Sequence, residues 1–198
     1  MERSRIETRR PPGRPRSEEA HAAILEAAVA LVREVGYDNV TMDGIAARAG
    51  VGKATVYRRW SGKETLVAEA IEGIMRAVPV PDTGSTRSDL ARLLRSALTM
   101  YRDPATGPLL SGFVAAMARS EVIAAAIRDG FDARWREAMR AVLRRGVARG
   151  ELRRRLDLDL VIDVASAPLF YRYLMTGGPM NERLVDDVVA ATMRAFGT

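Results

Sequence analysis

Six side chains within one short window carry the chemistry this sequence offers: Lys53, Thr55, Tyr57, Arg58, Arg59 and Lys63. Cations and hydroxyls at that density bind anions and hydrogen-bond acceptors. They do not pair a nucleophile with a base. The chain's 31 basic residues include two lysines, and both of them, Lys53 and Lys63, fall in this window. Residue types suited to catalysis are scarce elsewhere, with no cysteine and a single histidine, His21. His21 continues an apolar stripe with Ile24, Leu25 and Ala28 at helical spacing, which reads as a partly buried structural residue. Glu121, Asp129, Asp132 and Glu137 are potential carboxylate partners, but no nucleophile, base and orienting group converge on them. The expectation is no catalytic set, no metal site and no cofactor.

Helices must position the basic window. Thr41 is placed to cap a short helix whose inner face is Met42, Ile45, Ala46 and Ala49. Gly50-Val51-Gly52 then turns the chain, with Gly50 free to take positive φ and Val51 apolar enough to pin the turn. A second helix starts at Lys53 and buries Val56 and Trp60. Its outer face carries Lys53, Thr55, Arg58 and Arg59, with Tyr57 beside them. Two short helices joined by a glycine-containing turn, with cations on the second, form a helix-turn-helix. The second helix fits the major groove of B-DNA, which is ~12 Å wide. Thr55 and the basic side chains can then meet base edges, and Ala54 is small enough to allow close approach. Tyr57, Arg59 and Lys63 read as phosphate holders that set register. Ser61 and Glu64 suggest a capping box for the following helix.

Charge placement agrees with this. The formal net charge is +6, and residues 1 to 16 hold six arginines against two glutamates. Pro11, Pro12, Gly13 and Pro15 make this stretch an extended basic arm. Arg10-Pro-Pro-Gly-Arg-Pro-Arg16 resembles an AT-hook core, in which Arg14 and Arg16 would enter a narrow minor groove; an unspecific tether is the alternative.

From Ser17, a candidate N-cap, the apolar pattern is helical throughout, and the fold class is all-α. Nine helices are expected, near 18–35, 42–49, 53–60, 63–77, 86–101, 109–118, 121–149, 158–176 and 182–196. Three units follow: a basic flexible arm at 1–16, a three-helix DNA-binding domain at 17–66, and a helical ligand-binding and dimerisation domain at 67–198. In the last, Met100, Phe113, Met117, Phe131, Trp135, Met139 and Phe170 are candidates to line an apolar pocket, or to form ordinary core. The hairpin 158–196 carries more apolar surface than one side needs, at Leu160, Val161, Val164, Ala165, Leu169, Phe170 and Tyr173 on its first helix and at Leu184, Val185, Val188, Val189, Thr192 and Met193 on its second. That surplus suits a two-fold four-helix interface. Pro168 should kink its helix. Neither an export signal nor a membrane span is visible, so a cytoplasmic protein is expected.

Residues 18 to 66 resemble the DNA-binding domain of the TetR family of bacterial transcriptional regulators. The matching residues are Glu34-Val35-Gly36-Tyr37, Thr41, Ile45-Ala46, Ala49-Gly50-Val51, Thr55-Val56-Tyr57 and Lys63-Glu64-Thr65-Leu66. Asp157 to Pro179 is similar to one C-terminal subtype. The resemblance implies DNA contact by Thr41, Lys53, Ala54, Thr55, Tyr57, Arg58, Arg59 and Lys63. It also implies a homodimer and a small-molecule ligand that releases the protein from a double-stranded operator. Gly52 departs from the serine N-cap common in that family. Rival readings are an architectural DNA-binding dimer with no ligand response and, from composition less favoured, an all-helical enzyme.

Overall fold

The computed structural model describes residues 15–74 and 78–198. Its α-helices are α1 (Pro15–Val35), α2 (Met42–Arg48), α3 (Lys53–Tyr57), α4 (Lys63–Ile74), α5 (Thr86–Arg102), α6 (Gly107–Met117), α7 (Glu121–Ala126), α8 (Ala133–Ala148), α9 (Leu158–Tyr171) and α10 (Glu182–Phe196). A π-helical turn, Ile127–Asp132, joins α7 to α8 without a break, so the described residues form nine continuous rods. Leu152 and Gly197 make an isolated antiparallel bridge, and the described residues contain no strand. None of their helices is long and apolar enough to cross a membrane.

Helix α1 starts at Pro15, ahead of Ser17, so Ser17 is not its N-cap. A proline suits the first turn, where its missing N–H has no helical partner in any case. At the other end Gly36 takes φ 76° and the Asn39 side chain donates to the Val35 carbonyl at 2.8 Å, closing the helix. A 3-10 turn, Tyr37–Asn39, follows. Helix α4 begins at Lys63, which places Gly62 rather than Ser61 at its cap position. It runs past residue 66, the expected domain boundary.

Two apolar clusters hold the fold. In the first, Ile24, Ala28, Ile45, Val56, Leu66 and Ile71 are fully buried, joining α1, α2, α3 and α4 to Phe113 of α6 and Ile123 of α7. A buried aliphatic side chain of this kind contributes about 1.5–3 kcal/mol. The second cluster joins α5, α8, α9 and α10 through residues such as Leu90, Leu94, Met139, Leu143, Val161 and Val185. Helix α9 runs through Pro168 and relaxes into a second π-helical turn, Arg172–Thr176, before Gly177 at φ 61° ends it.

Candidate nucleic-acid interface and ligand cavity

Thr41 lies at the surface, and its Oγ1 accepts the Gly44 N–H at 3.0 Å, capping α2. The turn after α2 has two bonds that define a Schellman ending: Val51 N–H to the Ala46 carbonyl at 3.1 Å and Gly50 N–H to the Ala47 carbonyl at 3.2 Å. Gly50 takes φ +67°, and Val51 packs against the first core. Gly52 caps α3 through its backbone alone, its carbonyl accepting the Thr55 N–H at 2.8 Å. Val56 and Trp60 are buried beneath. The α-helix stops at Tyr57, short of the expected Trp60, because the Arg59 N–H bonds the Val56 carbonyl three residues back and tightens the last turn.

This frame presents Lys53, Ala54, Tyr57 and Arg58 to solvent, with Thr55 and Arg59 half-buried beside them. Lys53 is 66% exposed at its side chain and Tyr57 is 54% exposed. An acidic residue that spacing alone did not single out sits among them. Asp43, at the start of α2, accepts from the Lys53 ammonium through Oδ2 and from the Tyr57 hydroxyl through Oδ1 at 3.3 Å. The hydrogen bond from Lys53 holds the Asp43 carboxyl below the usual carboxylate range, and the same bond raises Lys53. Lys63 is tied inward: its ammonium donates to the carbonyls of Tyr37 and Asp38, both at 3.1 Å, and lies 4.7 Å from the centre of the Tyr37 ring. Arg48 binds Glu34 bidentately at 2.6 and 2.7 Å, locking α2 to α1. Of the two arm residues, Arg14 lies outside the described residues and Arg16 falls in the first turn of α1. His21 stacks on Trp60 at 5.3 Å, and Glu69 accepts from both rings, at 3.0 Å from His21 and 2.7 Å from Trp60, a structural role.

A cavity of about 420 Å³ opens between α5, α6, the Ile127–Asp132 turn, α8 and α9. Six of the expected pocket residues line it: Met100, Phe113, Met117, Phe131, Trp135 and Phe170. Met139 does not. It is fully buried in the second core, because its position on α8 faces α5 and α9 side chains rather than the opening. Ser166, Tyr101 and Tyr173 add hydroxyls to the lining, and Arg136 and Asp163 add charge. Three of the four candidate carboxylates are engaged in ion pairs: Glu121 with Arg128, Asp132 with Arg136 and Glu137 with Arg140 and Arg144. Among the described residues no group of acidic or histidine side chains could hold a metal ion.

Known proteins share both halves of this arrangement. The family described as "Bacterial regulatory proteins, tetR family" matches residues 24–70, and "Tetracyclin repressor-like, C-terminal domain" matches residues 80–192. The HTH-type transcriptional regulator YdeS of Bacillus subtilis is 38% identical over 185 residues, covering 93% of this chain and 91% of that protein. The chain belongs to the TetR family. A second relative, named as the DNA-binding transcriptional repressor TetR of Mycobacteroides abscessus, is 36% identical over 90% of this chain and 96% of its own length. The fold also matches the crystal structure of a TetR-family regulator from Mesorhizobium loti, with a TM-score of 0.73 at 22% identity, over 93% of this chain and all of that one. This TetR-family chain is therefore a DNA-binding transcriptional regulator and not an enzyme.

Proposed function

We propose that this regulator is a repressor. In this reading two copies pair through 158–196, each sets Lys53 to Arg59 in a major groove, and a small apolar molecule in the cavity releases the operator. The observation that carries the reading is the exposure of Lys53, Ala54, Tyr57 and Arg58 on a turn braced by Thr41, Gly50 and Val51. The name of the Mycobacteroides abscessus relative supports the repressor assignment. Ligand response is supported by the position of the Ile127–Asp132 turn. That turn lines the cavity through Ile127, Arg128 and Phe131, while its Gly130 stands 3.9 Å, measured from an added Cβ, from Glu72 of α4. A molecule that reshapes the turn therefore presses on the helix leading out of the DNA-binding unit. Differential affinity of a few kcal/mol between two spacings of the reading heads is sufficient.

A band shift on the promoter beside the protein's own gene tests the reading, with and without candidate ligands. Tyr57→Ala is expected to weaken operator binding by about 1–3 kcal/mol, roughly five- to a hundredfold. Lys63→Ala should weaken it too, by releasing the Tyr37–Asn39 turn as well as a cation. Unchanged binding in both variants would overturn the docking. Deleting residues 1 to 16 tests the arm through Arg14 and Arg16: the salt slope is expected to flatten. Footprints that ignore sequence would favour the architectural alternative.

A further inference from the structure

The cavity's lining states what kind of molecule it accepts. Phe, Trp and Tyr are sparse in this chain, 11 residues in all, yet Tyr101, Phe113, Phe131, Trp135, Phe170 and Tyr173 all line this one space. Faces and edges of aromatic rings pack best against another aromatic system. A volume of about 420 Å³ falls in the range of ~300–1,000 Å³ that drug-sized ligands occupy.

The charged liners, Arg128, Asp132, Arg136 and Asp163, cancel two against two, and each is already paired. Arg136 donates from Nε to Asp132 at 2.7 Å, from Nη1 to Asp159 at 3.4 Å and from Nη2 to Asp163 at 2.5 Å. Asp132 foremost, and Asp163 with it, raise its affinity for its proton. An anionic ligand would have to displace one of the three carboxylates and face the other two, while a cation would have to win a carboxylate from the guanidinium.

Neutral polarity gathers around Tyr101 and Tyr173. The Tyr101 and Tyr173 rings lie 5.0 Å apart, tilted by 31°. Ser111 Oγ donates to the Tyr173 hydroxyl at 3.2 Å, which leaves the Tyr173 O–H free to donate onward. Gly107 lets the start of α6 approach: a Cβ there would stand 2.9 Å from the Tyr173 hydroxyl. Burial, and then the neighbouring Tyr173, push the Tyr101 phenol up to about 12, so it keeps its proton at any working pH. A bare hydrocarbon seated here would strip water from these hydroxyls and replace nothing.

We propose that the cavity selects an uncharged aromatic molecule bearing a hydroxyl or carbonyl oxygen, with that oxygen on the Tyr101 and Tyr173 hydroxyls and its rings against Phe113, Phe131 and Trp135. This assignment rests on the reading of the cavity as the effector site.

Calorimetry on the full chain at pH 7, without DNA, tests it on one carbon frame: 2-naphthol, naphthalene, 2-naphthoate and 2-naphthylmethylammonium. The expected result is a Kd for 2-naphthol at least about tenfold below those of the naphthoate and the ammonium, and several-fold below that of naphthalene. The double variant Tyr101→Phe/Tyr173→Phe keeps both rings. It should erase the margin of naphthol over naphthalene, weakening naphthol and tightening naphthalene, because no hydroxyl is then left to be stripped of water. An anion or cation that binds as well as naphthol overturns the assignment, as does a margin that survives the double variant, or no saturable binding by any of the four. The effector reading fails separately. If naphthol binds as expected but no occupant of the cavity moves the band shift, the ligand class stands and the effector role falls. If instead only a charged or purely hydrocarbon occupant releases the operator, the effector role stands and the ligand class falls.

Discussion

At the residue scale the reading head is held by a counter-charge. Asp43 grips Lys53 and Tyr57 from the neighbouring helix, so in the proposed docking two of the side chains expected at DNA are pre-aligned on a carboxylate that a phosphate would replace. Both partners are largely exposed, so the pair adds little to stability. Its effect belongs to binding. Asp43→Asn removes one negative charge from the face proposed to meet the duplex, and non-specific DNA affinity is expected to rise several-fold at low salt. The slope of log K against log salt should steepen by about 0.9, the amount for one further phosphate neutralised. Fluorescence anisotropy on operator and random duplexes would check this, and weaker binding to both would mean that alignment of Lys53 outweighs repulsion. Little of this was legible in the sequence. Types and spacing exposed the cations, because a five-residue helix repeats its faces within the chain itself. Asp43 lies ten positions before Lys53, and only the crossing of α2 and α3 brings the two together. Lys63 shows the same limit, since its inward ties to Tyr37 and Asp38 depend on where α4 meets the turn after α1.

At the scale of elements, apolar periodicity and breakers revealed the rods, while junctions escaped. Across the π-helical turn Ile127–Asp132 the apolar residues Ile123, Ile127, Phe131 and Trp135 still recur every four positions, so nothing in that stripe separates the turn from α-helix. Close approach between helices is equally silent. Gly146 of α8 lies against the first residue of α5, where an added Cβ would overlap Thr86 Oγ1 and stand 3.0 Å from Leu152 Cδ1. Thr86 has no room to yield: it is fully buried, accepts from Arg149 Nη2 at 3.1 Å, and its N–H donates to Glu151 Oε2 at 2.6 Å. Gly146→Ala should therefore destabilise by about 1–3 kcal/mol through overpacking. Gly112, in the interior of α6, meets nothing within 4 Å of an added Cβ, and Gly112→Ala should stabilise by about 0.5–1 kcal/mol. Urea unfolding of the two variants side by side reads both signs. Equal shifts would show that helix propensity, not the α5–α8 contact, governs these positions.

At the scale of the whole molecule, the proposed pairing of two chains on DNA needs an apolar surface that one chain leaves uncovered. The sequence spreads apolar side chains over both helices of the 158–196 hairpin, and within one chain the two helices bury them unequally. Leu184, Val185, Val188 and Val189 of α10 are buried within their own subunit against α5 and α9, leaving Arg183, Asp186, Asp187 and Arg194 outward. The exposed set belongs to α9 and the turn after it: Leu160 at 52%, Val164, Phe170, Tyr171 and Met175 at 72%. Side chains of this size in one run are what a second copy would cover. Phe170 belongs to that run and to the cavity lining at once, so a ligand and a partner subunit would meet at one side chain. The double variant Leu160→Asp/Val164→Asp places two carboxylates on this stripe without touching either buried cluster. Light scattering is expected to report single chains with an unchanged far-ultraviolet circular dichroism spectrum. Operator affinity should then fall by a factor of about 10²–10⁴, because each reading head must bind its half-site without the other's effective concentration. Affinity for a duplex carrying one half-site should stay near that of the unaltered chain, since the helix-turn-helix is untouched. A variant that remains paired, or that turns monomeric yet still holds the full operator, would detach DNA recognition from α9.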